Sequence, residues 1–212
     1  MITARRLRRS NLAIAALIAS VAIAIGARVS AHRLDEYLQA ARIAVARERM
    51  SLDLSLTPGA AVAGRVITDI DADRNGNLSR QEQRAYAAQV LEALLVSVDG
   101  AAPIRLQLLA STFPEVVSLR SGDGAITIRA AARVSRLAAG PHHLLFRNHH
   151  AAGMSVYLAN ALVPDHDDVA VTGQERTGDQ SELTINFIVR DVPNHDRKDS
   201  TGVTFNALRA GK

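Results

Sequence analysis

Residues 37–56 read YLQAARIAVARERMSLDLSL, and their pattern decides the fold class. In the second half, MSLDLSL at residues 50–56, apolar and polar side chains alternate. Successive side chains of a strand point to opposite faces, so a period of two indicates a strand with one buried and one solvated face. Residues 37–45 fit a second strand, and residues 46–49 can connect the two as a hairpin. We therefore predict a mostly β protein that begins with this strand pair.

The period changes after residue 56, where the sequence favours two helices. Thr57 can cap a helix whose first turn begins at Pro58, because proline lacks only an N–H that the first turn leaves unpaired. We predict that this helix runs to about residue 70, from its apolar spacing. Ser79 and Glu82 have the S-x-x-E spacing of a capping box and open a second helix. The predicted buried faces are Val62, Val66 and Ile67 on the first helix and Tyr86, Val90, Leu91 and Leu94 on the second.

Between the two helices, residues 71–82 read DADRNGNLSRQE and match the EF-hand calcium pattern D-x-[DN]-x-[DN]-G-x5-E at every specified position. Ca²⁺ prefers about seven oxygen ligands, which such a loop presents from alternating positions before a final acid binds with both oxygens. Gly76 permits the left-handed backbone that turns the chain around the ion. The predicted ligands are Asp71, Asp73, Asn75, the backbone carbonyl of Asn77, Ser79 directly or through a water, and Glu82.

The sequence also predicts how strongly this loop binds. EF-hands usually occur in pairs, and the acidic stretches at residues 165–168 and 191–196 lack the glycine and the twelfth-position acid of a second loop. Asn75 stands where a fourth carboxylate is possible. Both features predict an affinity suited to extracellular calcium, on the order of 0.1–1 mM. We therefore expect Ca²⁺ to stabilise the EF-hand insert, residues 58–95, rather than to act as a signal.

Strand patterns return after the second helix. Residues 96–98 lead into Asp99-Gly100, a dipeptide typical of hairpin turns, and then into an apolar segment at residues 104–109. Further strand-like segments follow at residues 125–134, 144–147, 155–163, 169–172 and 183–189. About eight or nine short strands, interrupted once by a helix–loop–helix, predict a mostly antiparallel β-sandwich with an EF-hand insert. The predicted domain covers residues 32–193, and the polar residues 194–212 form a tail.

The first 31 residues have the pattern of an export signal. Residues 1–11 hold four arginines and no acid, residues 12–27 are uncharged, and Val29-Ser30-Ala31 suits a signal peptidase. Cleavage after Ala31 places the mature protein in the periplasm or outside the cell, by either the Sec or the twin-arginine route. The alternative is an uncleaved membrane anchor, for which the apolar run is slightly short.

The charge of the chain is concentrated in this signal. The full chain has 25 Lys and Arg against 21 Asp and Glu, but five arginines and no acid precede residue 32. The remaining 20 bases and 21 acids are balanced, so we predict no nucleic-acid partner. The chain has no Cys, which excludes disulfides and cysteine chemistry. It also has no G-x-S-x-G, H-E-x-x-H or phosphate-binding glycine motif, so we predict that it is not an enzyme.

The histidines support a different hypothesis. Cleavage after Ala31 would make His32 the first residue, and its amine and imidazole together chelate nickel or copper. His149 and His150 follow a predicted strand and are candidates to complete such a site. The protein would then be a periplasmic transition-metal accessory. The alternative is that the histidine pairs are ordinary surface residues at strand ends.

The order of these parts resembles a known architecture. The segments that carry the resemblance are AHRLDEYL at residues 31–38, the strand pair, the acidic loop, Val98-Asp99-Gly100, Gly140-Pro141-His142 and Phe146-Arg147-Asn148. They are similar to the extracytoplasmic N-terminal domain of some bacterial membrane proteins of the nickel/cobalt-transporter and urease- or hydrogenase-accessory type. The resemblance implies a calcium-loop-bearing β domain that works beside a membrane transporter. After signal cleavage we expect no stable membrane span in this chain.

Overall fold

The computed structural model of the protein describes residues 35–164 and 167–191, which are mostly β. The strands of this part are β1 (Tyr37–Ala46), β2 (Arg49–Pro58), β3 (Leu94–Val98), β4 (Gln107–Thr112), β5 (Ile126–Arg133), β6 (Gly140–Asn148), β7 (Ser155–Ala161), β8 (Val169–Arg176) and β9 (Glu182–Val189). Its helices are α1 (Ala60–Ile70), α2 (Arg80–Glu92) and α3 (Val116–Ser121). The predicted signal, His32 and the predicted tail lie outside the described residues.

The strands form two sheets. The five-stranded sheet has the order β4-β5-β2-β1-β7, and the four-stranded sheet has the order β3-β6-β9-β8. Neighbouring strands are antiparallel except β1 and β7, which are parallel. Helices α1 and α2 follow each other between β2 and β3. Within the described ranges, no helix combines the length and the apolarity needed to cross a membrane.

β1 and β2 form the predicted hairpin, and Tyr37 pairs with Pro58 at its open end. Alternate residues of both strands are buried, as the period of two predicts. The prediction that a helix begins at Pro58 is wrong. The N–H of Gly59 donates to the carbonyl of Glu36 at 2.8 Å, so the extended pairing continues past the proline. Helix α1 therefore begins at Ala60.

The predicted turn after β3 is confirmed, but the strand that follows it does not pair with β3 as a hairpin would require. Asp99 and Gly100 form a tight turn with left-handed φ angles of 52° and 70°, which aspartate tolerates and glycine favours. The N–H of Ile104 donates to the carbonyl of Val96 at 2.8 Å. The chain then leaves this sheet, because β4 begins only at Gln107 and pairs with β5 in the other sheet.

Helix α3 was not predicted, because its six residues are too few to show a helical period. Gly122 ends the helix with a φ of 81°. A Cβ atom added to this glycine would lie 3.1 Å from the backbone nitrogen of Ala60. The close approach places α3 against the start of α1, with Leu119 buried.

One hydrophobic core contains inward-facing residues of both sheets and of helices α1 and α2. The helical residues that the sequence predicts as buried are mostly found there: Val66, Ile67, Tyr86, Val90 and Leu91. Val62 is only partly buried. Leu94 lies in β3 rather than on α2, because that helix ends at Glu92. The core thus fixes both helices on either side of the acidic loop.

Candidate metal centre

The loop at residues 71–79 is anchored at both ends. At its start, the N–H of Asp71 donates to the carbonyl of Ile67 at 2.8 Å and closes helix α1. At its end, Ser79 caps helix α2. Between them, Leu78 is partly buried and packs against the core. The ends of the loop are therefore positioned by the two helices and by the core.

Asp71 holds the first half of the loop together. Its Oδ1 accepts a hydrogen bond from the N–H of Asn75 at 3.1 Å, and its Oδ2 accepts one from the N–H of Gly76 at 2.9 Å. The chain bends toward this buried carboxylate because Arg74 and Gly76 have left-handed φ angles of 59° and 82°. Gly76 therefore has the conformation predicted for it.

Asp73 and Asn75 continue the same arrangement. The N–H of Asn75 donates to Oδ1 of Asp73 at 3.1 Å, and the side-chain amide of Asn75 donates to Oδ2 of Asp73 at 2.8 Å. The side-chain oxygen of Asn75 accepts the N–H of Asn77 at 2.7 Å. Three successive oxygen-bearing side chains thus turn toward the backbone N–H groups of one tight loop.

Glu82 reaches back from α2 to the start of the loop. Its Oε1 accepts the N–H of Ala72 at 2.8 Å, and its Oε2 accepts the N–H and the hydroxyl of Ser79 at 2.8 and 2.7 Å. The hydroxyl of Ser79 also accepts the N–H of Glu82, which completes the predicted capping box. The bond from this hydroxyl, followed by the backbone bonds, lowers the pKa of Glu82. Glu82 is therefore ionised at neutral pH.

These contacts bring the three predicted carboxylate ligands together. One oxygen from each of Asp71, Asp73 and Glu82 lies within 4.8 Å of the other two. Asn75 is hydrogen-bonded to Asp73 beside them. The hydroxyl of Ser79 donates to Glu82 within the capping box. The side-chain amide of Asn77, whose predicted ligand is the backbone carbonyl, donates to the carbonyl of Asn75 at 3.4 Å.

The donor set of this cluster fits a hard cation. The converging groups are three carboxylates, with no imidazole or thiolate among them. Calcium and magnesium prefer such oxygens, and magnesium demands a more rigid octahedral geometry than a hydrogen-bonded loop of this kind supplies. Like-charged carboxylates this close repel one another, so a bound cation relieves repulsion that the loop otherwise carries. The residues present therefore fit Ca²⁺.

A second polar cluster lies in the interior and was missed by the sequence interpretation. We call it the buried network; its members are Tyr37, Gln39, Tyr86, Asn148, His150, Ser155 and Tyr157. The hydroxyls of Tyr37 and Tyr86 are 2.8 Å apart, and that of Tyr86 is 3.0 Å from Nε2 of His150. Burial raises the pKa of Tyr86 to about 12 and lowers the pKa of His150. Both groups are therefore neutral at pH 7.

Gln39 joins this cluster to the second sheet. Its amide nitrogen donates to the carbonyl of His150 at 2.9 Å and to the hydroxyl of Ser155 at 2.6 Å. Its amide oxygen accepts from the side chain of Asn148 at 2.8 Å. One sequence signal was available, because Gln39 falls on the buried face of β1, two residues after Tyr37. The network therefore connects α2, which carries Glu82, to strands of both sheets.

The described histidines do not form a metal cluster with one another. His150 is buried, so the interpretation of it as a surface residue is wrong, whereas His149 is exposed. Nδ1 of His142 lies 2.7 Å from Oδ2 of Asp99, and the N–H of His143 donates to Oδ1 of the same aspartate at 2.9 Å. These contacts lock the Asp99-Gly100 turn onto β6.

Comparison with protein-family models, with curated proteins and with solved structures found no match for this chain.

Proposed function

We infer that the protein binds one calcium ion in the loop at residues 71–82, as a non-enzymatic protein in which the ion has a structural role. One observation carries this proposal. The carboxylates of Asp71, Asp73 and Glu82 come from two helix ends and the loop between them, yet they converge within 4.8 Å. In this proposal, the loop and its flanking helices form an EF-hand, and the two sheets that share one core form a β-sandwich.

The role of the ion follows from where its ligands are attached. Asp71 closes α1 and Glu82 lies in the first turn of α2, so an ion bound to both ties the end of one helix to the start of the next. The two helices pack in the core against both sheets. The ion therefore stabilises the junction between the two helices. This fits a modest affinity and a calcium-rich extracytoplasmic compartment, which the N-terminal sequence pattern supports.

The decisive test is Glu82→Gln. Glutamine keeps the shape and the capping ability but removes the charge and one strong oxygen ligand. At a calcium concentration a hundredfold above the dissociation constant, we expect the wild type to gain about 2.7 kcal/mol in the free energy of unfolding and the variant almost nothing. Chemical unfolding of both proteins, with calcium and with a chelator, measures the difference.

The matched control is Glu92→Gln, which makes the same change on an exposed residue at the other end of α2. This variant should keep the full calcium-dependent gain. If Glu82→Gln gains as much from calcium as the wild type does, or if the wild type gains nothing, the loop is not a calcium site.

A further inference from the structure

The outer face of the five-stranded sheet carries four exposed arginines in two rows. Because β1, β2 and β5 are in register, Arg42, Asp53 and Arg129 lie side by side across these strands. Four residues further along, Arg49 of β2 lies directly opposite Arg133 of β5. Like charges in directly opposed positions of a sheet are destabilising. The sheet therefore holds positive charge here that its own packing does not require.

A row of small side chains separates the two charged rows. Ala44, Ser51 and Ala131 are cross-strand neighbours, and Gln107 of β4 follows Ala131 at the end of the row. The result is a trough, about 13 Å wide from four residues of strand and about 14 Å long from three strand spacings. Recesses open at both ends, beside Arg49 and Ser51 and beside Arg133 and Gln107.

The arginines of the trough are unequally paired. Arg42 approaches Asp53 at 3.6 Å, whereas Arg49, Arg129 and Arg133 form no ion pair within residues 35–164 and 167–191. Asp168 lines the recess at the β1 end. Arg49 lines the same recess, so positive charge is most concentrated over β5, which carries Arg129 and Arg133.

We propose that this trough docks an extended acidic segment of a partner protein, bound through carboxylates to Arg49, Arg129 and Arg133. An extended chain sends successive side chains to opposite sides, and here both sides of the trough carry arginine. Guanidinium groups bind carboxylates in a two-pronged geometry that specifies direction as well as charge. A trough of this length holds about four residues of extended chain.

The position of Asp53 favours a polypeptide over an anionic membrane. Asp53 stands in the middle of one arginine row. A continuous anionic surface would repel this carboxylate, whereas a peptide has separate carboxylates that can bind Arg49, Arg129 and Arg133 and leave Asp53 with Arg42. The trough is built by the sheet and not by the acidic loop, so the proposal does not depend on calcium binding.

The test uses fluorescence anisotropy of a fluorescein-labelled hexaglutamate peptide with the full chain. We expect saturable binding at low salt, unchanged when calcium is replaced by a chelator and weakened as salt rises. The double variant Arg49→Ser/Arg133→Ser should bind at least about tenfold more weakly, since it removes the charge of one wall. The matched control Arg65→Ser/Arg84→Ser removes the same charge from exposed positions on α1 and α2 and should bind within about twofold of the wild type.

A second variant tests the shape of the trough. Ser51→Tyr keeps every arginine and fills the floor with a residue that suits strands, so it should also lose the peptide while its thermal melt shows a folded protein. Three outcomes overturn the proposal: no saturable binding by the wild type, equal loss in the two double variants, or full binding by Ser51→Tyr. Arginine-dependent binding to phosphatidylglycerol vesicles, without binding to the peptide, overturns it in favour of a lipid surface.

Discussion

The acidic loop and the buried network are both dense clusters of hydrogen-bonded groups, but their bonds are made differently. In the loop, Asp71 and Glu82 accept bonds mainly from backbone N–H groups of the loop itself. In the network, Gln39, Tyr86 and His150 bond to side chains and carbonyls from distant strands. One cluster is local and charged; the other is long-range and neutral.

The two clusters therefore differ in whether they can accommodate a ligand. An ionised carboxylate offers about four acceptor positions, and Asp71 uses two of them within the loop. Asp73 likewise accepts only two bonds, so these two aspartates keep unused acceptor positions, whereas Glu82 already accepts four bonds. The amide nitrogen of Gln39 has two N–H donors, and both are bonded. Spare acceptors of like charge, rather than a high density of polar atoms, distinguish a candidate metal site from a structural network.

The largest expected effect comes from Gln39→Leu in the network. The change leaves the side-chain amide of Asn148 without its buried acceptor and removes one of three donors to the carbonyl of His150, so we expect a loss of about 3 kcal/mol in the free energy of unfolding. Calcium affinity, measured by isothermal titration calorimetry, should stay within about twofold. Gln89→Leu, on the exposed side of α2, is the control and should change stability by less than about 0.5 kcal/mol. A stable Gln39→Leu protein would contradict the structural importance of the network.

Tyr86→Phe tests whether the two clusters are independent. Tyr86 and Glu82 lie one helical turn apart on α2, so this residue is where coupling should appear. Removal of the hydroxyl should cost about 1–2 kcal/mol in urea unfolding, because Tyr37 and His150 lose their shared partner. Calcium affinity should fall by less than about threefold. A tenfold fall would show that the network positions the loop and that the two clusters are coupled.

Asp73→Asn should change calcium affinity and leave stability nearly unchanged, which is the reverse of the result expected for the two network variants. Asp73 is exposed, so the stability of the calcium-free protein should change by less than about 0.5 kcal/mol. Calcium affinity should fall about tenfold, equivalent to about 1.4 kcal/mol, because ligand charge sets the affinity of such loops. Isothermal titration calorimetry measures the calcium affinity, and Asp123→Asn is the control outside the loop. An unchanged affinity would remove Asp73 from the ligand set.

The smallest expected effect is a loss of stability at acidic pH that arises from His150 in the buried network. Burial lowers the pKa of His150 in the folded protein, so its contribution to stability is complete above the unfolded pKa of about 6.5 and is lost as pH falls toward the folded value. The chelator-treated wild type should therefore lose more thermal stability between pH 7 and 5 than His150→Gln does. His142, whose pKa is raised by its bond to Asp99, changes stability in the opposite direction but equally in both proteins. Equal pH profiles would contradict the role of His150.

Local patterns predicted the local parts of this molecule. The alternation of β2 and the capping box of Ser79 and Glu82 depend on neighbouring residues, and both are present in the structure. The failures required distant residues. Pro58 stays extended because the next residue, Gly59, bonds to Glu36. The buried His150 bonds to Gln39, 111 positions away, and to Tyr86, 64 positions away. No periodicity contains such information.

The parallel pairing of β1 with β7 has a consequence for folding. Tyr37 pairs with Ser155, and Ile43 pairs with Ala161, so the contact closes a loop of most of the domain and carries a high entropic cost. The first hairpin and the helix–loop–helix need only nearby residues and can form early. During synthesis, one edge of β1 remains open until β7 has emerged, and open edges pair with other chains. The addition of β7 is therefore expected to be a late folding step, and misfolding at high concentration should begin at the uncovered edge of β1.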